Sequence, residues 1–403
     1  MTVSTEIAYA ARRNGDIRLI ASVSAAHCAS HFYMLVLPPL FAVIRAEYDV
    51  SYTELGFAFT AFNAVSASLQ TQAGFLVDRG NAKVILAAGL LIEAAAFVVA
   101  AMVHSYWVMV AMFAVMGVGN TVFHPADYSL LSRHVSPQRI GQAYSSHGFA
   151  GMLGSAAAPG SVLMMYGLFG WRGAFLGTAI FGTAVALLVL LMADGNVENS
   201  AKPRDSHSDG SNWQLLLSAP IMINFLFFML LALAAFGMQN FMIVGLNALH
   251  GTDAVVSNAA LSAYLLLSAF GILLGGWIVS RYTHHRLLAA VGLSATSMAV
   301  LLMANFDMTS TLLVGMMSVA GLLYGAVMPS RDMIVREVTP PGAFGTVFGF
   351  VTNGFNIAGI VAPLLFGAML DHGAPRLYFY TVAAFGIAAV VSVALVPRRP
   401  ANV

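Results

Sequence analysis

Two histidines stand four residues apart in "HCASHFYMLVLPP" (27–39), within the first apolar stretch of the chain, and two prolines follow them. At that spacing His27 and His31 share one face of a helix. Imidazole changes charge near physiological pH, so the pair suits proton carriage or substrate binding. Interhelical hydrogen bonding is the plainer use. The same spacing can hold zinc, but no acidic third ligand lies nearby and no HExxH pattern accompanies the pair, so no metal is assigned. Pro38 and Pro39 remove backbone donors beyond the pair and bend the helix there.

Other groups able to do chemistry lie in apolar surroundings. Glu93 sits mid-way along "GLLIEAAAF" (89–97). A charged carboxylate there costs about 2.5–3.5 kcal/mol on insertion scales, so it must be protonated or partnered. Either a proton-carrying Glu or a neutral, hydrogen-bonded one fits. "GVGNTVFHP" (117–125) carries Asn120 and His124, and Asp127 and Tyr128 continue the face of His124. His147 enters the next apolar stretch from the same side, so His124 and His147 can form a relay with Asp127 or complete a gate. In the second half Gln239, Asn240, Asn353 and Asn356 offer neutral hydrogen bonds, and Tyr264 and Tyr324 offer aromatic surface. Arg331 and Asp332 are neighbours and so point apart on a helix, each serving an inner gate. No lysine or arginine sits at mid-depth, which argues against a tightly held anion.

The elements that must position these groups are set by composition. Of 403 residues, 59% are apolar and 9% charged, with mean hydropathy +0.81. Soluble domains are about a quarter charged, so the chain reads as an all-α polytopic membrane protein. Net charge +1 suggests no nucleic-acid partner, and Cys28 as the single cysteine excludes an internal disulfide or a cysteine metal cluster. The first apolar run outlasts a signal peptide and reads as a retained span.

A span of about 20 apolar residues fits twelve times: 17–44, 51–77, 84–103, 106–131, 141–166 and 172–193 (spans 1–6), then 215–246, 257–280, 287–304, 310–335, 344–369 and 377–396 (spans 7–12). This gives a six-helix bundle over 1–193, a linker over 194–214 that includes "DGNVENSAKPRDSHSDGSN", and a second bundle over 215–403. With both termini cytoplasmic, only Arg45, Arg172 and Arg376 of the 18 lysines and arginines fall outside, as the positive-inside rule asks. The halves are related: "VSPQRIGQAYSSHGFAGMLGSAAAP" (135–159) aligns with "VTPPGAFGTVFGFVTNGFNIAGIVAP" (338–363) after one insertion, and "GFLVDR" (74–79) with "GWIVSR" (276–281).

Six spans, a linker and six related spans resemble the plan of the major facilitator superfamily. "GFLVDRGNAK" (74–83) resembles that superfamily's loop signature at Gly74, Leu76, Asp78, Arg79 and Lys83, while Asn81 and Ala82 replace its usual Gly and Arg. Asp78 can sit at the positive end of span 11 near Phe344, and Arg79 and Lys83 can pair with Asp127, making an inner latch. "LPPL" (37–40) after the histidines, "GVGNTVFHP" and "GQAYSSHGFAGMLGSAAAP" (141–159) are similar to the fosmidomycin resistance branch. The resemblance implies twelve helices in two pseudo-symmetric halves, with spans 1, 4, 7 and 10 lining a cavity. It also implies a secondary transporter that works by alternating access and exports a drug or small organic metabolite on the proton gradient. Span 4 lacks the arginine of many drug–proton antiporters, and the span 5 glycine motif is degenerate, so uptake of a small nutrient is the alternative.

Further expectations are no cofactor, protons and a small molecule as partners alongside membrane lipid, a functional monomer, and a bacterial-type inner membrane. A membrane-embedded enzyme needs a nucleophile or metal constellation that the sequence does not display, nor is there a P-loop. A sensor needs a signalling domain, which the plain termini and linker do not offer.

Overall fold

Proline and glycine decide where these apolar helices break. The computed structural model describes residues 3–136, 139–191, 212–340 and 344–395; the linker falls almost wholly outside them. Span 1 runs as a helix over Val3–Met34, stops, makes a 3-10 turn at Pro38–Leu40 and resumes over Phe41–Tyr48. Two missing backbone donors explain the stop. Span 4 is likewise split into Tyr106–Asn120 and Phe123–His134. Pro125 cannot bond to the carbonyl of Thr121 four residues back and its ring crowds that carbonyl.

Spans 5 and 6 form one continuous helical stretch, Ile140–Leu191, broken at Gly170 with φ 70° and ψ 177°. A straight helix of that length would reach roughly 75 Å, over twice a bilayer core. It instead reverses. A Cβ on Gly177 would stand 2.5 Å from Met165 Sδ, although the two residues would be about 18 Å apart on one straight helix. Glycine is required at position 170 because that φ is strained for any other residue.

Span 7 is Ala219–Phe236, then a π-turn at Gly237–Phe241, then Met242–His250. Spans 8 to 12 are Ala254–Val279, His285–Asn305, Ser310–Val338, Phe344–Asp371 and Pro375–Leu395. Ten stretches are long and apolar enough to cross a membrane, one of them the doubled 142–191. Tyr52–Arg79 supplies span 2 and Ala82–Met102 span 3, so the twelve-span, all-α reading holds.

Contacts group the chain into two units. Met1–Val36 joins Ala64–Ser206, and Leu37–Asn63 joins His207–Val403. The grouping therefore cuts span 1 at its proline break rather than following the bundle limits drawn from the sequence. In the first unit small residues let backbones approach: a Cβ on Gly154 would collide with the Cys28 carbonyl, and one on Gly119 would stand 2.7 Å from the Gly89 carbonyl. In the second unit Gly271, Gly275, Gly321 and Gly325 bring spans 8 and 10 equally close.

A seam in the second unit joins spans 2 and 11. Asp371 accepts from the backbone amides of Tyr52 (2.6 Å) and Thr53 (2.8 Å) and from Thr53 Oγ1 (2.6 Å). Its charge lies at a helix N-terminus, where exposed N–H groups favour anions. Thr60 Oγ1 donates to the Ile360 carbonyl (3.1 Å), and Gly359 lies against Asn63.

Candidate functional site

The split of span 4 sets the site. Restarting the helix at Phe123 directs Asp127 inward, where its side chain is 0% exposed. His147 Nε2 lies 2.9 Å from Asp127 Oδ2 and His27 Nδ1 lies 3.4 Å from the same oxygen. The His27 and His147 rings stack, with centroids 3.7 Å apart and planes at 21°. His31 meets His27 edge-on at 4.5 Å, and its Nδ1 is 3.2 Å from Ser155 Oγ. His124 is more exposed, at 5.4 Å from the His27 ring and 6.1 Å from Tyr128. Spans 1, 4 and 5 thus bring four imidazoles around one carboxylate.

Glycine makes room for this. A Cβ on Gly151 would stand 2.7 Å from His27 Cδ2 and 3.1 Å from His31 Cδ2. Gly151 and Ser155 belong to the cluster but do not stand out from the sequence as site residues. Their signal lies in "GFAGMLGS": with Gly154 they form one small-residue face at helical spacing.

The expected pairing of Asp127 with Arg79 and Lys83 is corrected. Asp127 is fully buried and engages histidines, while Arg79 is exposed. The rest of that latch, Asp78 against Phe344, involves side chains outside the described residues. Gly74 has open space around it. Asn81 serves instead as a helix cap, its Oδ1 accepting from the amides of Lys83 (3.0 Å) and Val84 (3.3 Å) at the start of span 3.

Glu93 is 1% exposed, and neither carboxylate oxygen has a hydrogen-bond partner among the described residues. Asn120 is a polar neighbour on span 4, and its Oδ1 accepts from Ser66 Oγ at 3.2 Å. The buried Tyr33 hydroxyl is also without a hydrogen-bond partner among the described residues and lies against Gly182. Glu93 thus packs against span 4, where a Cβ on Gly119 would stand 2.8 Å from Glu93 Cγ.

In the second unit the polar residues fall into small local groups. The π-turn of span 7 carries Gln239 and Asn240, and Asn240 Nδ2 donates to the Phe236 carbonyl (3.3 Å). Tyr378 donates to the Gly237 carbonyl at 3.0 Å, serving one group that the wider turn leaves over. Tyr264 and Tyr324 rings are 6.0 Å apart, and the Tyr264 hydroxyl is buried without a partner among the described residues. Asn356 donates to Asn353 Oδ1 at 3.2 Å.

Arg331 and Asp332 do not point apart as expected. The guanidinium folds back so that its Nε and NH2 nitrogens each lie 2.8 Å from Asp332 Oδ1. It also covers Phe228 at 4.7 Å and Phe355 at 5.4 Å. A long, planar cation can satisfy both contacts where a helix diagram alone separates the Cβ atoms.

A helical chain of this length, reversing at Gly170 and carrying related halves, matches one family throughout. The model described as Major Facilitator Superfamily matches residues 23–247 and again 227–403. The chain belongs to the Major Facilitator Superfamily. This transporter is 22% identical over 377 residues to the fosmidomycin resistance protein of Escherichia coli, covering 91% of this chain and 89% of that one. It is 24% identical over 392 residues to a probable sulfoacetate transporter of Cupriavidus necator, covering 88% of each. Among solved structures, a nucleoside transporter superposes with TM-score 0.77 at 17% identity, covering 95% of this chain and 99% of that one. A bacterial homologue of the human lysosomal transporter Spinster, inward-facing and occupied, gives 0.75 at 16% identity over 94% of each. The protein is a multi-pass membrane transporter, not an enzyme, and resembles the fosmidomycin resistance branch.

Proposed function

We propose that this transporter couples proton movement to export of a drug or small organic metabolite, with Asp127, His147 and His27 as the proton-binding group. The observation that carries the reading is the placing of Asp127 Oδ2 within 2.9 Å of His147 Nε2 and 3.4 Å of His27 Nδ1, away from solvent. A buried carboxylate beside imidazoles can exchange one proton among three groups without leaving an isolated charge in the membrane. His31 and His124 extend that path, and Glu93 with Asn120 is a second place where a proton can rest. Asn353, Gln239, Asn240, Tyr264 and Tyr324 supply neutral hydrogen bonds and aromatic surface to a substrate of low charge.

The seam from Asp371 to the start of span 2 is the outer gate in this reading. Arg331, Asp332 and the Asp78 loop serve the inner side, with both termini in the cytoplasm of a bacterial-type inner membrane. The protein works as a monomer and needs no cofactor. Similar identity to a resistance protein and to a probable sulfoacetate transporter keeps proton-coupled uptake of a small organic nutrient as the second reading.

Inside-out vesicles separate the two. Under export, a proton gradient that is acidic inside the vesicle drives drugs or organic metabolites into the lumen, and collapsing the gradient releases them. Accumulation only in right-side-out vesicles overturns export, and accumulation indifferent to the gradient overturns proton coupling.

A further inference from the structure

We infer that His27, Asp127 and His147 form a binding site for a divalent transition-metal ion of the zinc class. Their ligand atoms all lie within 4.8 Å of one another, and all three residues are buried. Zinc takes nitrogen and oxygen donors at about 2.0–2.1 Å in a tetrahedron, which sets the donors about 3.3 Å apart. The two edges at Asp127 Oδ2 measure 2.9 and 3.4 Å and the His27–His147 edge is no longer than 4.8 Å, so an ion is held once the two imidazole nitrogens draw in toward it.

The donors themselves are prepared for a ligand. His27 Nδ1 and Asp127 Oδ1 are buried with no hydrogen-bond partner among the described residues, in side chains 5% and 0% exposed. Buried polar atoms are nearly always satisfied, and a cation bound by His27 Nδ1 and by both oxygens of Asp127 would satisfy the two. Two imidazoles and one carboxylate repeat the donor set of open zinc sites, with a fourth position free for water or another ligand. The His31 and His124 rings, 4.5 and 5.4 Å from that of His27, are the nearest further imidazoles. Magnesium and calcium prefer all-oxygen shells, so this set selects against them. The acidic ligand missing near His27 along the chain is delivered by span 4, from about a hundred residues away.

Metal and proton would compete for the same atoms, because each ligand must be deprotonated to bind the ion. The metal site nevertheless stands without the transport reading, since binding is measured with no membrane present.

The test uses the full-length protein, purified in detergent with any histidine tag removed, and titrates it with cobalt(II) as a coloured stand-in for zinc. The expected result is one equivalent bound, with the visible absorption of a low-coordinate cobalt site, displaced by one equivalent of zinc. Asp127→Asn and His147→Gln should each weaken binding at least tenfold. The double variant His284→Gln, His285→Gln should bind as the wild type does. Absence of a stoichiometric cobalt signal in the wild type overturns the site whatever the variants do. So does wild-type affinity in both Asp127→Asn and His147→Gln, or a lost signal in the His284/His285 variant. An empty site leaves proton-coupled transport untouched, and failed vesicle transport leaves cobalt binding untouched.

Discussion

Residues 64–206 with the first part of span 1 gather four imidazoles around Asp127, whereas in the unit formed by 37–63 and 207–403 Asp371 and Asp332 are tied to fixed donors. Asp371 is held by two backbone amides and a hydroxyl, and Asp332 by the guanidinium next to it. The related sequences make the contrast sharper. Counting back from the matched Val135 and Val338, Asp127 corresponds to Ser330. Counting on from Gly141 and Gly345, His147 corresponds to Val351. Both counterparts are buried. The same helical frame therefore holds a carboxylate among imidazoles in one half and, at the matching positions, a serine and a valine in the other. A carboxylate whose partners can change protonation is suited to a working cycle, while one bound to permanent donors fixes a shape.

Substitutions at these carboxylates test that contrast. The largest effect is expected for Asp127→Asn, which keeps an acceptor but loses the charge. Accumulation driven by a pH gradient in vesicles should fall to background, at least tenfold, while exchange of substrate down its own gradient persists. Gradient-driven accumulation at the wild-type level would show that Asp127 is only a buried structural group.

Asp371→Asn should act on stability and gating rather than on proton coupling. It weakens charge-assisted bonds worth about 1.5–3 kcal/mol, read as lower thermal stability in detergent and altered turnover. The dependence of transport on the pH gradient should be kept; its loss would erase the distinction between the two units.

A smaller change is expected for Asp332→Asn. The pair with Arg331 is partly exposed, with Asp332 44% accessible, and such pairs contribute about 0–1 kcal/mol. Arg331 retains its aromatic contacts, so melting should move by no more than a degree or two and proton coupling not at all. Proton coupling lost in this variant would place a second titrating centre in the second unit.

Tyr264→Phe should do least to the fold. It removes a buried hydroxyl that has no partner among the described residues, and deleting an unsatisfied polar group is neutral or stabilising. Thermal stability should stay equal or rise, with any effect confined to the substrate KM. A drop in stability of more than about 1 kcal/mol would mean that the hydroxyl is bonded in the working protein.

The helices were legible from hydropathy because a bilayer demands long apolar stretches whose backbone bonds are satisfied internally. Breaks at Pro38–Pro39 and Pro125 were legible too, since a missing donor acts locally wherever the chain folds. His27, His31, His124 and His147 stood out because ionisable groups in apolar sequence are costly. What the sequence could not determine was which partner each one meets. Asp127 matched a gate residue by type and position, yet its burial against His147 follows from the close approach of spans 1 and 5 at Gly151 and Gly154. Arg331 turned to its neighbour because a flexible side chain settles on the contacts that packing leaves within reach. Periodicity assigns a residue to a face of its own helix; the rotation and spacing of the neighbouring helices, set by small-residue packing, decide what that face touches.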